Sequence, residues 1–286
     1  MSDGRYHRQE LLFGTKGQEL IEGCRVAIVG LGGLGSHVAQ QLTYLGTQKF
    51  VLVDGDFAEL SNLNRLVGAC EDDLGRAKVE IARDAILKVS RAAIVREVRE
   101  SVVSAGGFSE ILGSQFVFGC VDDDAIRFVL NELCQAYETP YMDLATDIDA
   151  KEHSFGGRIV FTDGRACLVC LDALEPNTIR KALETREQAE EEDNIYGVRV
   201  GALPQAGPAV VSLNGVIASL GVTEFLSEMT GLRRANIYLE YRGSLGIVRC
   251  QTEAAVQSCY YCRTVRGKRA EANVERYLAI WPTITE

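Results

Sequence analysis

Two runs that are apolar at nearly every position, RVAIV (25–29) and KFVLV (49–53), bracket a stretch in which Val38, Leu42 and Leu45 recur at helical spacing before Gly46. Apolar runs without alternation suit strands covered on both faces, and the spacing between them suits a helix lying against them. The pattern predicts a βαβ unit. Val79, Ala82, Ile86 and Val89 predict a second helix within 75–90, FVFGCV (116–121) a strand, and Ile126, Leu130, Leu133 and Tyr137 the stripe of a third helix. PYMDLA (140–145) and RIVFT (158–162) read as further strands, so the first half is expected to be a parallel, doubly wound sheet of the α/β class. After a buried helix over AVVSLNGVIASLGV (209–222), NIYLEY and GIVRC alternate around Arg242-Gly243-Ser244 as a late antiparallel hairpin.

Composition narrows the function classes. The 286 residues suffice for one large domain or two small ones, and no repeat or low-complexity linker marks a boundary. Forty acidic against thirty basic residues leave a net charge of −10, which disfavours a nucleic-acid partner. The longest apolar stretch, 209–222, carries two serines and an asparagine and is too short to cross a bilayer, so no membrane association is expected. MSDGRYHRQELLFG lacks the apolar run and cleavage site of a secretory signal, which makes the expected location cytoplasmic. The acidic run EQAEEED (187–193) reads as a solvated helix or loop, and Arg263, Arg266, Lys268 and Arg269 as an exposed basic tail.

GLGGLG (30–35) follows the first strand and opens the first helix, so Gly30, Gly32 and Gly35 meet the GxGxxG pattern of a Rossmann-like fold. Backbone amides there can hold a phosphate, and Asp54 at the next strand end can accept from ribose hydroxyls. These features alone would suit a nicotinamide dehydrogenase. Beyond them, Asn62, Arg65, Lys78 and Asp122 fall on loops and helix starts that converge at the carboxyl edge of an open α/β sheet. Two cations and a carboxylate beside a phosphate cradle suit a triphosphate with Mg²⁺, and none of the three histidines stands where a hydride-transfer site needs its proton donor. Singly, Arg65 or Lys78 would more often be a surface charge, and Asp122 could cap the helix near Ala125. Cys167/Cys170 and Cys259/Cys262 have the paired C-x-x-C spacing of a closed four-cysteine zinc site that would staple the late segment to the middle of the chain. Redox pairs are the alternative.

GLGGLG, VDGDFAELSNLNR, GRAKVE, CVDDDAIR, ACLVC and SCYYC, in this order between Arg5 and Arg263, together resemble the ThiF/MoeB/HesA family, the adenylating core shared with ubiquitin-activating enzymes. The resemblance implies one adenylation domain over 1–286: a helical arm (1–24), a nucleotide-binding half (25–170), a crossover segment (171–208), a stretch with the buried helix, hairpin and second cysteine pair (209–262), and a tail (263–286). It implies that the C-terminal glycine carboxylate of a ubiquitin-like or sulfur-carrier protein attacks the α-phosphate of ATP, releasing pyrophosphate. Gly30, Gly32, Gly33 and Gly35 would then admit the nucleotide, Asp54 would take the ribose, Asn62, Arg65 and Lys78 the phosphates, and Asp122 the Mg²⁺. In RYHRQ (5–9), Arg8 would reach the ATP site of a second copy, which implies a homodimer.

The sequence departs from the family in places. Members that form a thioester usually carry a cysteine in the crossover segment, and 171–208 has none. Cys24, Cys120 and Cys134 read as buried, and Cys70 and Cys250 as accessible without an evident base. The expectation is therefore transfer from the acyl-adenylate to a separate nucleophile, such as a sulfur donor or a conjugating enzyme's cysteine. Leu66 stands where Gln commonly follows SNLNR, and Asp123 where Asn is frequent. A catalytically silent scaffold subunit and adenylation of a tRNA base are the other readings within this resemblance.

Overall fold

The computed structural model describes residues 4–183, 207–251 and 258–280. Its centre is an eight-stranded sheet ordered β3-β2-β1-β4-β5-β6-β7-β8. The strands are β1 (Arg25–Val29), β2 (Lys49–Val53), β3 (Ile94–Val98), β4 (Phe116–Gly119), β5 (Tyr141–Asp149), β6 (Ser154–Thr162), β7 (Tyr238–Arg242) and β8 (Ile247–Cys250). From β3 to β5 all pairings are parallel, and from β5 to β8 all are antiparallel. β1, β2 and β4 are buried almost throughout, as their unbroken apolar runs require.

The helices are α1 (His7–Gly23, bent at Gly14), α2 (Gly33–Leu45), α3 (Lys78–Val89), α4 (Ala105–Leu112), α5 (Asp124–Tyr137), α6 (Pro176–Leu183), α7 (Val211–Thr230) and α8 (Tyr277–Ile280). One core joins the sheet to α2, α3 and α7 through residues such as Leu42, Ile86, Phe116, Phe161 and Phe225. The second lies on the opposite face, where Phe108, Leu130, Leu133 and Tyr141 meet Leu168, Val265 and Tyr277. Eleven of the fourteen residues of α5 are therefore buried, not one stripe, because the cysteine-bearing turns cover the side it turns away from the sheet. The same contacts hold 263–280 against the body through Val265, Val274 and Tyr277; Arg263, Lys268 and Arg269 stay exposed as expected, whereas Arg266 is half-buried and pairs with Glu138 at 3.4 Å.

Three features differ from the pattern read along the chain. β6 runs antiparallel to β5 as a nine-residue hairpin arm, so the parallel sheet ends at β5 and not at Thr162. β3, with the pattern IVREV, was not expected because its exposed edge accepts charges that obscure the strand signal. α4 was not expected either; Ser104 caps it by accepting from the Gly107 amide. The expected acidic run 187–193 and most of the crossover segment lie outside the described residues. No helix among the described residues is long and apolar enough to cross a membrane.

Candidate functional site

Because the connections reverse direction between β1 and β4, the helices that follow these two strands go to opposite faces and leave a crevice at their carboxyl ends. There the structure opens a cleft of about 1140 Å³. Gly30, Gly32 and Gly33 line it beside Asp54, Arg65, Lys78 and Asp122. Gly32 stands at the start of α2 with no side-chain cap, so the first amides of that thirteen-residue helix are free to meet an anion. Gly35 admits no substitute because it meets backbone, and a side chain at Gly33 would have to displace Asn214. A Cβ on Gly35 would lie 1.8 Å from the Gly30 carbonyl oxygen, and one on Gly33 would lie 2.1 Å from Asn214 Nδ2. Gly35 does not line the cleft, so its contribution is the close packing of the loop on α2.

Asp54 ties the glycine loop to the end of β2: one carboxylate oxygen accepts from the Leu31 amide at 2.5 Å and the other from the Asp56 amide at 2.8 Å. Burial raises its pKa, against the opposing pull of Lys78. Lys78 is the first residue of α3, and its Nζ donates to Asp56 at 2.7 Å. Arg65 reaches the cleft from a turn whose Ser61 carbonyl accepts from Nη1 at 2.6 Å. Of the three adjacent aspartates, Asp123 caps α5 by accepting from the Ala125 amide at 2.7 Å, and Asp124 accepts from the Glu175 amide at 2.8 Å. Asp122 is exposed to the cleft and makes no hydrogen bond among the described residues, which leaves its oxygens free for a cation. The capping alternative therefore belongs to Asp123.

Two expected residues stand apart. Asn62 does not line the cleft; its Oδ1 accepts from the Glu59 amide at 3.2 Å and closes its own turn. Arg8 is exposed on α1 and outside the cleft of its own chain. Leu66 is 5% exposed and packs with Ala58 and Ile81 in a small satellite core, which explains an apolar residue at that position.

The four cysteines converge although 92 residues separate the partners. Cys167 Sγ lies 3.6 Å from Cys259 Sγ, Cys170 Sγ lies 3.9 Å from Cys262 Sγ, and all four sulfurs fall within 4.8 Å of one another. A tetrahedron with Zn–S bonds of about 2.3 Å has S···S edges of about 3.8 Å, so the cluster fits that ion. Hydrogen bonds from Cys167 and Cys262 hold the Cys170 thiol well below its usual range and push those two upward in turn. Cys24 and Cys134 are buried as expected, and burial raises both thiols. Cys120 sits just beyond β4 at the cleft floor, its thiol also raised by burial. Cys70 and Cys250 are exposed and lie outside the cleft.

A model of the ThiF family matches residues 6–266. The chain belongs to that family. Molybdopterin-synthase adenylyltransferase of Escherichia coli is 36% identical over 174 residues, 59% of this chain and 68% of its own length. The SAMP-activating enzyme E1 of Haloferax volcanii is 32% identical over 181 residues, 61% of this chain and 64% of its own. Among solved structures, E. coli MccB with MccA-N7isoASN superposes with a TM-score of 0.72 over 91% of this chain and 75% of that one, at 18% identity, which is a likeness of fold. The ThiF-family chain is accordingly an adenylyltransferase, and the dehydrogenase alternative falls.

The ThiF-type cleft also contains groups that the sequence did not announce. Arg127 is 5% exposed, donates to the carbonyl of Val121 at 3.1 Å through Nε and to Asp143 at 3.3 Å through Nη1. Asp143 is fully buried and also accepts from the Tyr141 hydroxyl at 2.9 Å. Arg158 on β6 and Asn214 on α7 also line the cleft. An asparagine within the apolar run 209–222 was a visible signal for Asn214; nothing local distinguishes Arg158.

Proposed function

We propose that this adenylyltransferase activates the C-terminal glycine carboxylate of a small ubiquitin-like or sulfur-carrier protein, using ATP and Mg²⁺. The convergence of an open glycine loop, Asp54, Arg65, Lys78 and Asp122 in one cleft carries the reading. A carboxylate oxygen bonds to the α-phosphorus while the bond from that phosphorus to the bridging oxygen breaks, and pyrophosphate departs with the electron pair. The loop amides and the start of α2 hold phosphate oxygens, Asp54 accepts from the ribose, and Arg65 and Lys78 balance the charge gathering on the leaving group. Asn62, outside the cleft lining, would act through the turn that carries Arg65, whose amide donates to the Asn62 carbonyl. Asp122 would bind Mg²⁺, which supplies further neutralisation of the phosphates. The names of the relatives, one for molybdopterin synthase and one for SAMP activation, favour a protein substrate. MccB has been solved with ATP and with AMPCPP and MccA.

The acyl-adenylate passes to a separate nucleophile, a sulfur donor or a conjugating enzyme's cysteine. The absence of cysteine from 171–208, the burial of Cys120 and the distance of Cys70 and Cys250 from the cleft lining support this. A reducible adduct with the substrate, abolished by Cys70→Ala or Cys250→Ala, overturns it. The exposed position of Arg8 suits a contribution to the cleft of a second copy, and a dilute monomer adenylating at full rate overturns that. The four cysteines hold Zn²⁺ as a closed structural site with no catalytic position.

Thermal unfolding with Mg·ATP, with NAD and with neither tests the core of the reading. A ligand at about a hundred times its dissociation constant adds roughly 2.7 kcal/mol to the folded state, enough to raise the midpoint by several degrees. Mg·ATP is expected to raise it in the wild type and not in Asp122→Ala or Arg65→Ala. A rise with NAD alone overturns the proposal.

A further inference from the structure

β5 outruns its parallel neighbour. Only Tyr141–Asp143 pair with β4, and the rest of the strand continues beyond the end of β4 as a wall over the cleft, paired with β6. On this wall Arg158 stands opposite Ala145 of β5 and opposite Glu240 of β7, on the same face as Asp143 and Asp147. Its Nη2 donates to the Ala173 carbonyl at 2.5 Å, and Asp143 lies 3.9 Å away. Its Nε is buried and has no hydrogen-bond partner.

That unmet donor is distinctive among the described residues. Six buried side-chain nitrogen or oxygen atoms lack partners, and the other five, on His37, Thr47, Asn131, Gln135 and Thr162, belong to residues that do not line the cleft. A buried, unmet donor on a charged group is costly to keep, and Nη1 of the same side chain, which is 23% exposed in the cleft lining, also has no hydrogen-bond partner among the described residues, so the guanidinium has capacity for a ligand. The cleft's other cations have occupations. Arg99 pairs with Glu80 and Glu97, and Arg127 is spent on carbonyls and Asp143. Arg65 and Lys78 stand on the segment between β2 and α3, with the glycine loop and Asp54. A substrate carboxylate brought to a polyphosphate meets like charge, and among the described residues Arg158 is the cation with a free donor on the opposite wall. Asp143, Asp147 and Glu240 on the same face disfavour a multiply charged phosphate there, while Asp143 is shared with Arg127 and Glu240 pairs with Arg242. Ala173 is held by its amide to the Leu168 carbonyl, within the turn that carries Cys167 and Cys170, so the guanidinium is anchored from the cysteine cluster.

We propose that Arg158 determines specificity for a free chain end by binding the terminal carboxylate of the substrate, an inference that rests on the adenylation reading. The probe is a short fluorescent peptide ending in Gly-Gly, compared with the same peptide as its C-terminal amide, by anisotropy with each protein. The wild type is expected to prefer the free acid by about tenfold, the scale of one charge-assisted hydrogen bond. Arg158→Gln is expected to abolish the preference while leaving affinity for the amide unchanged, and Arg158→Lys to restore part of it. The Mg·ATP-induced rise in unfolding midpoint, preserved in both variants, certifies a folded nucleotide site. Preference for the acid retained by Arg158→Gln, or no preference in a wild type that still responds to Mg·ATP, overturns the assignment. A wild type that does not respond to Mg·ATP overturns the adenylation reading beneath it.

Discussion

Between β1 and α3, the groups that face the cleft are held by neighbours no more than 23 residues away: Asp54 by Leu31 and Asp56, Lys78 by Asp56, Arg65 by Ser61. Across the sheet, from β6 to the end of the described chain, the ties are long. Cys167 meets Cys259, Arg165 donates to the Ala235 carbonyl across 70 residues, and Arg276 reaches Glu132 across 144. The parallel flank obtains its site from strand order, because every strand end in a doubly wound sheet arrives at the same edge. The antiparallel flank lacks that guarantee and depends on staples. Its loss should therefore be costly in stability, whereas damage to the parallel flank should fall on ligand binding.

The cysteine cluster gives the severest test of that contrast. Cys259→Ser is expected to abolish stoichiometric zinc in elemental analysis and to lower stability by on the order of 5 kcal/mol or more, since structural zinc contributes about 10–16 kcal/mol in small domains. In a chain of this size that is a fall of at least roughly 10 °C in the unfolding midpoint. A variant of wild-type stability would show that the second core holds this flank without the metal.

Next in size is the ion pair beneath the hairpin. Glu224, 2% exposed within α7, accepts from both Arg233 terminal nitrogens, at 2.7 and 2.5 Å, and from the Asn236 amide at 2.8 Å. Burial alone would raise its pKa, but Arg233 and Asn236 outweigh burial and hold it below the usual carboxylate value. Removing one partner of a buried pair costs about 3–5 kcal/mol, and the partial exposure of Arg233 reduces the expectation for Arg233→Ala to about 2 kcal/mol. Because the folded pKa is depressed, the contribution is present above the unfolded value of about 4.3 and is lost as pH falls through the lower folded value. Urea titrations should therefore show the gap between wild type and variant closing below about pH 4. A gap independent of pH would assign the effect to packing.

The smallest stability effect belongs to the parallel flank. Lys78→Met is expected to cost under about 1 kcal/mol at neutral pH, since its partner Asp56 is exposed, while eliminating the response to Mg·ATP. It also removes the charge that opposes the effect of burial on Asp54, so that pKa rises further. A carboxyl raised in the folded state contributes stability that is complete below the unfolded value of about 3.9 and is lost as pH rises through the folded value. The variant should accordingly lose more stability than the wild type as pH rises above about 4 in chemical denaturation. A normal Mg·ATP response in this variant would break the assignment of the flank to nucleotide binding.

The two flanks also differed in legibility. Gly30, Gly32, Asp54, Arg65, Lys78 and Asp122 could be placed at one edge from strand and helix patterns alone and line the cleft, as does Gly33, which the family resemblance added, whereas Gly35 does not. Asn62 does not, because a side chain in a tight turn can be spent on that turn, and residue spacing does not reveal this. Asp123, not Asp122, took the capping position through a difference of one residue in the backbone path. Arg158, Arg127 and Asp143 were invisible as a group: their partners lie on other strands and turns, and each reads locally as an ordinary strand or helix residue.

The order of apolar runs, the glycine loop and the paired cysteines were sufficient to determine an α/β fold, the edge where ligands gather and the family, because these signals repeat at the periods of strand and helix or lie within a single turn. Tertiary structure decided the direction of β6, the burial of α5 on nearly every side, the meeting of four sulfurs and the unmet donor of Arg158. Strand direction, contact across sheets and hydrogen-bond satisfaction depend on residues tens to more than a hundred positions apart, whose proximity only the packed chain establishes.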